Sequence, residues 1–314
     1  MLGKIMPLST EAESGVMPFA SREEIVENHS EEMEKKDNDY GLENLLLSSN
    51  CLSCEVDPYD GIIVDPSCLP TDVNSFIDSL HDSLALWKSQ ERKGVWLKLP
   101  TENANLVFPA IEAGFVYHHA EPNYVMLTYW IPEVPCTLPS NASHQVGVGA
   151  FVLNEEGQVL AVQEKNGPLQ GSGVWKMPTG LVNQGEDVHE GAVREVKEET
   201  GIDTEFLEVI GFRQGHQVLF EKSDIFFLCV LRPLSMTILK QDTEIEAAQW
   251  MDLEKFACQP FVQNSMLRKM VDMCMACTQG RYRGFGTRAF HAGSERMPSY
   301  FYYNVHDSME KSIP

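Results

Sequence analysis

Basic residues are scarce in this chain. Its 314 residues carry 24 Lys and Arg against 46 Asp and Glu, a formal net charge of −22. That balance excludes an electrostatic grip on a nucleic-acid backbone, because such binding depends on clustered cations. Long apolar runs are missing too: no stretch reaches the roughly 18 residues of a membrane-spanning helix. Residues 1–50 hold 11 Asp and Glu and only four Lys and Arg, whereas an organelle transit peptide is rich in arginine and poor in acids. Eight cysteines are scattered at 51, 54, 68, 136, 229, 258, 274 and 277. Two CxxC pairs, Cys51/Cys54 and Cys274/Cys277, lie far apart in the chain and read as ordinary reduced thiols rather than as a zinc or redox site. A cytoplasmic protein with no membrane partner is expected.

What is present falls into five stretches. Residues 1–56 read as an acidic disordered arm with a short apolar patch over 42–47. From 57 to 132 the pattern is globular. Thr71-Asp72 signals a helix start, and Val73, Phe76, Ile77, Leu80, Leu84 and Trp87 recur at helical spacing. Strands are expected over 95–99, 115–118 and 124–131, with a second helix over 103–113. His118-His119 reads as a polar strand end. Residues 133–142, with Pro135 and Pro139, read as a linker. A second α/β unit over 143–278 carries strands at 146–153, 158–163, 206–214, 224–231 and 247–251, then a helix over 261–277. Residues 279–314, with Arg281, Arg283, Arg288 and Arg296, read as a flexible tail.

One 23-residue stretch, 180–202, dominates the functional reading. It fits G-x5-E-x7-R-E-U-x-E-E-x-G-U without mismatch, U being aliphatic, through Gly180, Glu186, Arg194, Glu195, Val196, Glu198, Glu199, Gly201 and Ile202. Seven fixed positions match by chance on the order of once in 10⁸ start points, so a merely solvated charged face is set aside. Residues 187–200 read as a helix with Asp187 in its first turn and Gly201 as its C-terminal cap. At about 100° per residue Glu195, Glu198 and Glu199 share one arc, while Ala192, Val193 and Val196 face a core. Like charges at that spacing cost roughly 0.2–0.5 kcal/mol per pair, a cost that a hard divalent cation reverses. Gly180 follows Pro178-Thr179 in a tight loop whose carbonyl can turn towards such an ion. Glu186 sits within reach of Arg194, a contact that would pin loop to helix and orient Glu195.

This pattern is the Nudix box, and the chain resembles the Nudix hydrolases. The resemblance implies an α/β fold: a Nudix α/β/α sandwich over 143–278. It implies hydrolysis of a nucleoside diphosphate linked to a further group, assisted by Mg²⁺ or Mn²⁺. Glu195 and Glu199 would be the principal ligands with Glu198 beside them; Glu195, Glu198 and Arg194 would serve the chemistry, and Glu186 would support the box. Residues 144–150, 175–180 and 213–216 are similar in wording to the plant branch that acts on ADP-ribose and NADH. Upstream, 57–132 is similar to the pre-Nudix domain, a truncated acetyltransferase-like α/β fold. It lacks a glycine-rich pyrophosphate loop, having Pro100-Thr101-Glu102-Asn103 there, so packing or homodimer formation is its expected role. The Ser-Gln-Pro-Trp-Pro-Phe-Pro run of zinc-containing NADH pyrophosphatases and the coenzyme A signature are both missing. Gln249 precedes Trp250 where several members place a ligating glutamate, with Glu244 and Glu246 nearby. Lys165, Lys176 and Arg213 are candidate phosphate contacts. Alternatives are a non-catalytic nucleotide sensor on the same fold, or a hydrolase of coenzyme A or a capped RNA end.

Overall fold

The computed structural model describes residues 50–263, 266–290 and 299–304, so residues 1–49 of the arm expected over 1–56, with its apolar patch, lie outside the described residues. It divides into two units, Met1–Asn141 and Ala142–Pro314.

In the first unit five strands pair in the order β1–β2–β3–β5–β4. They are β1 (Cys54–Val56), β2 (Ile62–Val64), β3 (Gly94–Pro100), β4 (Val116–Glu121) and β5 (Tyr124–Trp130). Helix α1 (Val73–Ser89) lies between β2 and β3 in the chain, and those two strands run parallel, as a crossover of this kind requires. Asp72 caps α1, its carboxylate accepting the Ser75 N–H at 2.8 Å. Phe76, Leu80 and Trp87 on α1 share a core with Val95, Leu97, Leu99 and Leu127, the alternate residues of β3 and β5. Two boundaries differ from expectation. Leu52 is buried and β1 opens at Cys54, so folded structure begins before residue 57. The helix expected over 103–113 is a 3-10 turn (Thr101–Leu106) followed by α2 (Val107–Glu112), because Asn103 leaves helical dihedrals at φ −102° and ψ 19°. Residues after 132 fold back on this unit: Trp130 Nε1 donates to Val134 O at 2.8 Å, and His118 Nε2 meets Pro139 O at 2.9 Å.

The second unit is an α/β/α sandwich. Strands β6 (His144–Val152), β8 (Thr179–Leu181), β9 (Thr204–Leu219) and β10 (Lys222–Pro233) form one sheet in the order β8–β6–β10–β9, with β6 and β10 parallel. β7 (Gln158–Glu164) pairs with β11 (Ile245–Asp252). Alternation along these strands feeds two cores. Val148, Ala150, Val152, Leu160, Cys229 and Leu231 turn towards Ala192 and Val196 on α3 (Val188–Thr200). Phe151, Val159, Ala161, Leu228 and Val230 turn the other way, towards Phe256 of α4 (Leu253–Ala257), Val262 of α5 (Pro260–Gln263) and Val271 and Cys274 of α6 (Met266–Thr278). The helix expected over 261–277 is described on either side of residues 264–265, as α5 and α6. All eight cysteines are free thiols. Among the described residues no helix is long and apolar enough to cross a membrane.

The stretch expected as a flexible tail contains structure. Phe285 exchanges both backbone hydrogen bonds with Val209, at 2.8 and 2.9 Å. Strands β12 (Gly286–Phe290) and β13 (Ser299–Tyr303) pair antiparallel. The Tyr302 hydroxyl accepts the His189 N–H at 3.2 Å and meets His189 Nδ1 at 2.9 Å. A free backbone N–H in the first turn of α3 thereby gains a partner 113 residues away. Tyr282 adds to this attachment, its hydroxyl donating to Ile210 O at 2.9 Å. Tyr302→Phe is expected to lower the unfolding free energy by about 1 kcal/mol, measured by urea denaturation.

Candidate functional site

Helix α3 begins at a cap and ends at one. Asp187 is the N-cap rather than a first-turn residue, and its N–H donates to Glu190 Oε2 at 3.3 Å. Gly201 closes the helix in the left-handed region at φ 73°, which a side chain would strain. Between the caps, one edge of the helix carries the box side chains.

Arg194 is the hub. Its Nε and Nη2 grip the two carboxylate oxygens of Glu186 at 2.6 and 2.9 Å, a bidentate pair. Nη2 also donates to Leu181 O at 2.8 Å, and Nη1 is shared between Glu195 Oε1 at 2.8 Å and Glu198 Oε2 at 3.0 Å. Glu186 additionally accepts the Asn183 N–H at 2.8 Å. The Arg194 hydrogen bond, ahead of the cost of burial, holds the Glu186 carboxyl below the usual carboxylate range, and the same bond holds the guanidinium more firmly protonated. Loop, strand and helix are therefore joined through one side chain.

Gly180 lies in β8 opposite Val148, beneath Glu195. A Cβ at residue 180 would stand 1.9 Å from the Glu195 carboxyl carbon, so a side chain there would displace that carboxylate. Glu199 faces inward and is 6% exposed, and its Oε2 has no hydrogen-bond partner. Burial pushes its carboxyl up to about 7; Glu195 and Glu164 add to the rise, while Lys176 and the Thr179 N–H oppose it. Lys176 is anchored as well, its Nζ donating to Glu164 Oε1 at 2.8 Å and to Thr179 Oγ1 at 2.6 Å.

The structure brings Gly180, Glu186, Arg194, Glu195, Glu198 and Glu199 together, with Lys176 beside them. Arg213 lies on β9, paired with Asp224 Oδ2 at 2.9 Å and placed over the Phe226 ring at 5.6 Å. Lys165 donates to Asp242 O at 2.7 Å, Gln249 pairs with Ala161 across β11 and β7, and Glu246 is exposed. Sequence reasoning missed Glu164 and Asp224. Each lies on a strand, and only the pairing of Lys176 with Val162 and of β9 with β10 brings it to a cation.

The donor set fits a hard divalent cation. Carboxylate oxygens line one helix edge, one buried oxygen lacks a partner, and a backbone turn without a side chain lies beneath Glu195. Among the described residues no three acidic, imidazole or thiol groups converge on one point, and Arg194 holds Glu195 and Glu198 by one oxygen each.

An α/β/α sandwich with this helix edge has the fold and the carboxylate set that a metal-assisted hydrolase needs. Comparison with known proteins agrees: a model described as a Nudix hydrolase domain matches residues 52–131, and one described as a NUDIX domain matches 143–272. Nudix hydrolase 2 of Arabidopsis thaliana is 52% identical over 252 residues, covering 80% of this chain and 90% of that protein. Nudix hydrolase 8 of the same plant is 52% identical over 253 residues, covering 80% and 69%. Human nucleoside diphosphate-linked moiety X motif 6 is 39% identical over 213 residues, covering 66% of each chain. The chain belongs to the Nudix hydrolase family, pyrophosphohydrolases that act on small nucleotides with divalent metal ions.

Burial of Glu199 has a cost that pH exposes. Because its folded carboxyl is raised above the ordinary 4.5 to about 7, the folded state holds the proton more tightly than the unfolded state does. That contribution to stability is full below the ordinary value and is lost as pH rises through about 7. In chelator, wild-type protein is expected to lose on the order of 3 kcal/mol relative to Glu199→Gln between acidic and mildly alkaline pH, measured by denaturant unfolding.

Proposed function

We propose that this chain hydrolyses the pyrophosphate of ADP-ribose and NADH, releasing a nucleoside monophosphate and the phosphorylated remainder. The observation that carries the reading is the clustered edge of Glu195, Glu198 and Glu199 above Gly180, pinned by Arg194. Glu195, Glu198, Glu199 and the Gly180 carbonyl would hold Mg²⁺ or Mn²⁺. When bound, such an ion neutralises diphosphate charge and makes a water molecule a better nucleophile.

The chain's own groups do the rest. Glu195 accepts the proton of the attacking water. Arg194 holds Glu195 and Glu198 through one nitrogen, which keeps the two carboxylates together on the helix edge. Glu186 keeps the guanidinium in that position, acting on the reaction only through it. Arg213, stacked on Phe226 along the sheet, is assigned to the substrate side. The choice of ADP-ribose and NADH rests on the wording of residues 144–150, 175–180 and 213–216. The unit over 52–131 is read as a packing module that can support a homodimer, and the compartment as cytoplasmic.

Glu198→Gln and Glu199→Gln are each expected to cut kcat at least about 100-fold with the far-ultraviolet circular dichroism unchanged. Assays of ADP-ribose, NADH, NAD⁺, coenzyme A and sugar nucleotides, read as released monophosphate, should rank the first two highest. Turnover should vanish in chelator and return with Mg²⁺ or Mn²⁺. Wild-type turnover in both variants would refute the site, and preference for coenzyme A or a sugar nucleotide would refute the substrate.

A further inference from the structure

Lys176 lies outside the box pattern but inside the site. Only 11% of its side chain reaches solvent. Its backbone is fixed by an isolated bridge to Val162, with both hydrogen bonds made, at 2.8 and 2.9 Å. Its ammonium is committed to two protein oxygens, Glu164 Oε1 at 2.8 Å and Thr179 Oγ1 at 2.6 Å. It also stands within electrostatic range of Glu199, whose other charged neighbours, Glu195 and Glu164, are both acidic. A cation this enclosed and this occupied is poorly placed to meet a substrate phosphate, the role its charge alone suggests.

Resting on the reading of the site given above, we infer that Lys176 is an internal counter-cation. It neutralises Glu164 while no divalent ion is bound, and as a fixed positive charge beside the site it sets how tightly the carboxylates hold one. The physics is a competition between like charges. Buried carboxylates without a nearby positive charge are costly to keep ionised and close together. The ammonium reduces that cost in the metal-free protein and so helps to keep the pocket assembled. A divalent ion arriving at Glu195 and Glu199 meets carboxylates already partly compensated and a positive charge close by, and both weaken its binding. The same ammonium reaches Thr179, the residue before Gly180, so it also positions the strand that presents the Gly180 carbonyl. Lys176 is thus a positioning residue that acts through Glu164, Glu199 and Thr179 rather than by touching substrate.

The test is Mn²⁺ binding to the full chain, followed by electron paramagnetic resonance of the free ion, together with melting temperature in chelator. Lys176→Met removes the charge and keeps most of the bulk. It is expected to tighten Mn²⁺ binding by about tenfold and to lower the melting temperature of the chelated protein. A variant that folds only when Mn²⁺ is present is the limit of the same result. Where Met does not fold with or without Mn²⁺, Lys176→Gln, which keeps a donor for Glu164 and Thr179, is measured in its place with the same expectation. Mn²⁺ affinity equal to or weaker than wild type overturns the inference. Glu199→Gln is the control: if wild type binds Mn²⁺ and this variant does not, the metal site stands and only the role of Lys176 is at stake. Wild type that fails to bind Mn²⁺ removes both.

Discussion

Crowding of like charge is the constraint on which the rest of this structure depends. Three glutamates share one edge of α3 within a single turn and a half, and left alone they would splay. Arg194 prevents this by serving Glu195 and Glu198 from one nitrogen while its other two nitrogens hold Glu186 and the Leu181 carbonyl. A charge-assisted hub of this kind is geometrically specific because the guanidinium is planar and its donors are fixed in direction. The helix edge, the loop of 182–187 and strand β8 therefore cannot move independently. The apolar face of α3, through Ala192 and Val196, then fixes that edge against the sheet.

Glu199 shows the tension between stability and chemistry. It is the most enclosed of the three glutamates and the one left with an oxygen unpartnered. A protein selected only for stability would pair or replace such a group. Its position alongside Gly180, where a Cβ would collide with the Glu195 carboxylate, fits the proposed cation site better than a site built for stability alone.

Much of this was legible before the structure. The box pattern placed Gly180, Glu186, Arg194, Glu195, Glu198 and Glu199 because their spacing on a helix and its loop is a local matter. The α1 cap at Asp72 and the alternating strands were readable for the same reason. What was not readable depended on pairing between distant segments. Glu164 enters the site only because Lys176 bridges Val162, and Asp224 meets Arg213 only through the register of β9 with β10. The hairpin of β12 and β13 was hidden because its strands are short and neither Gly-Thr-Arg-Ala-Phe nor Ser-Tyr-Phe-Tyr-Tyr shows a clear alternation of apolar and polar residues. The 3-10 start before α2 was hidden because a single residue, Asn103, departs from helical dihedrals.

The attachment of Tyr302 to His189 bears on how the chain comes off the ribosome. Residues 52–131 enclose their own apolar interior and can close while synthesis continues. The second unit is different: the hydroxyl that meets the start of α3 is translated 113 residues after the imidazole it contacts. Until that tyrosine emerges, α3 waits without this partner for the His189 N–H, so the contact forms only after most of the second unit has been made.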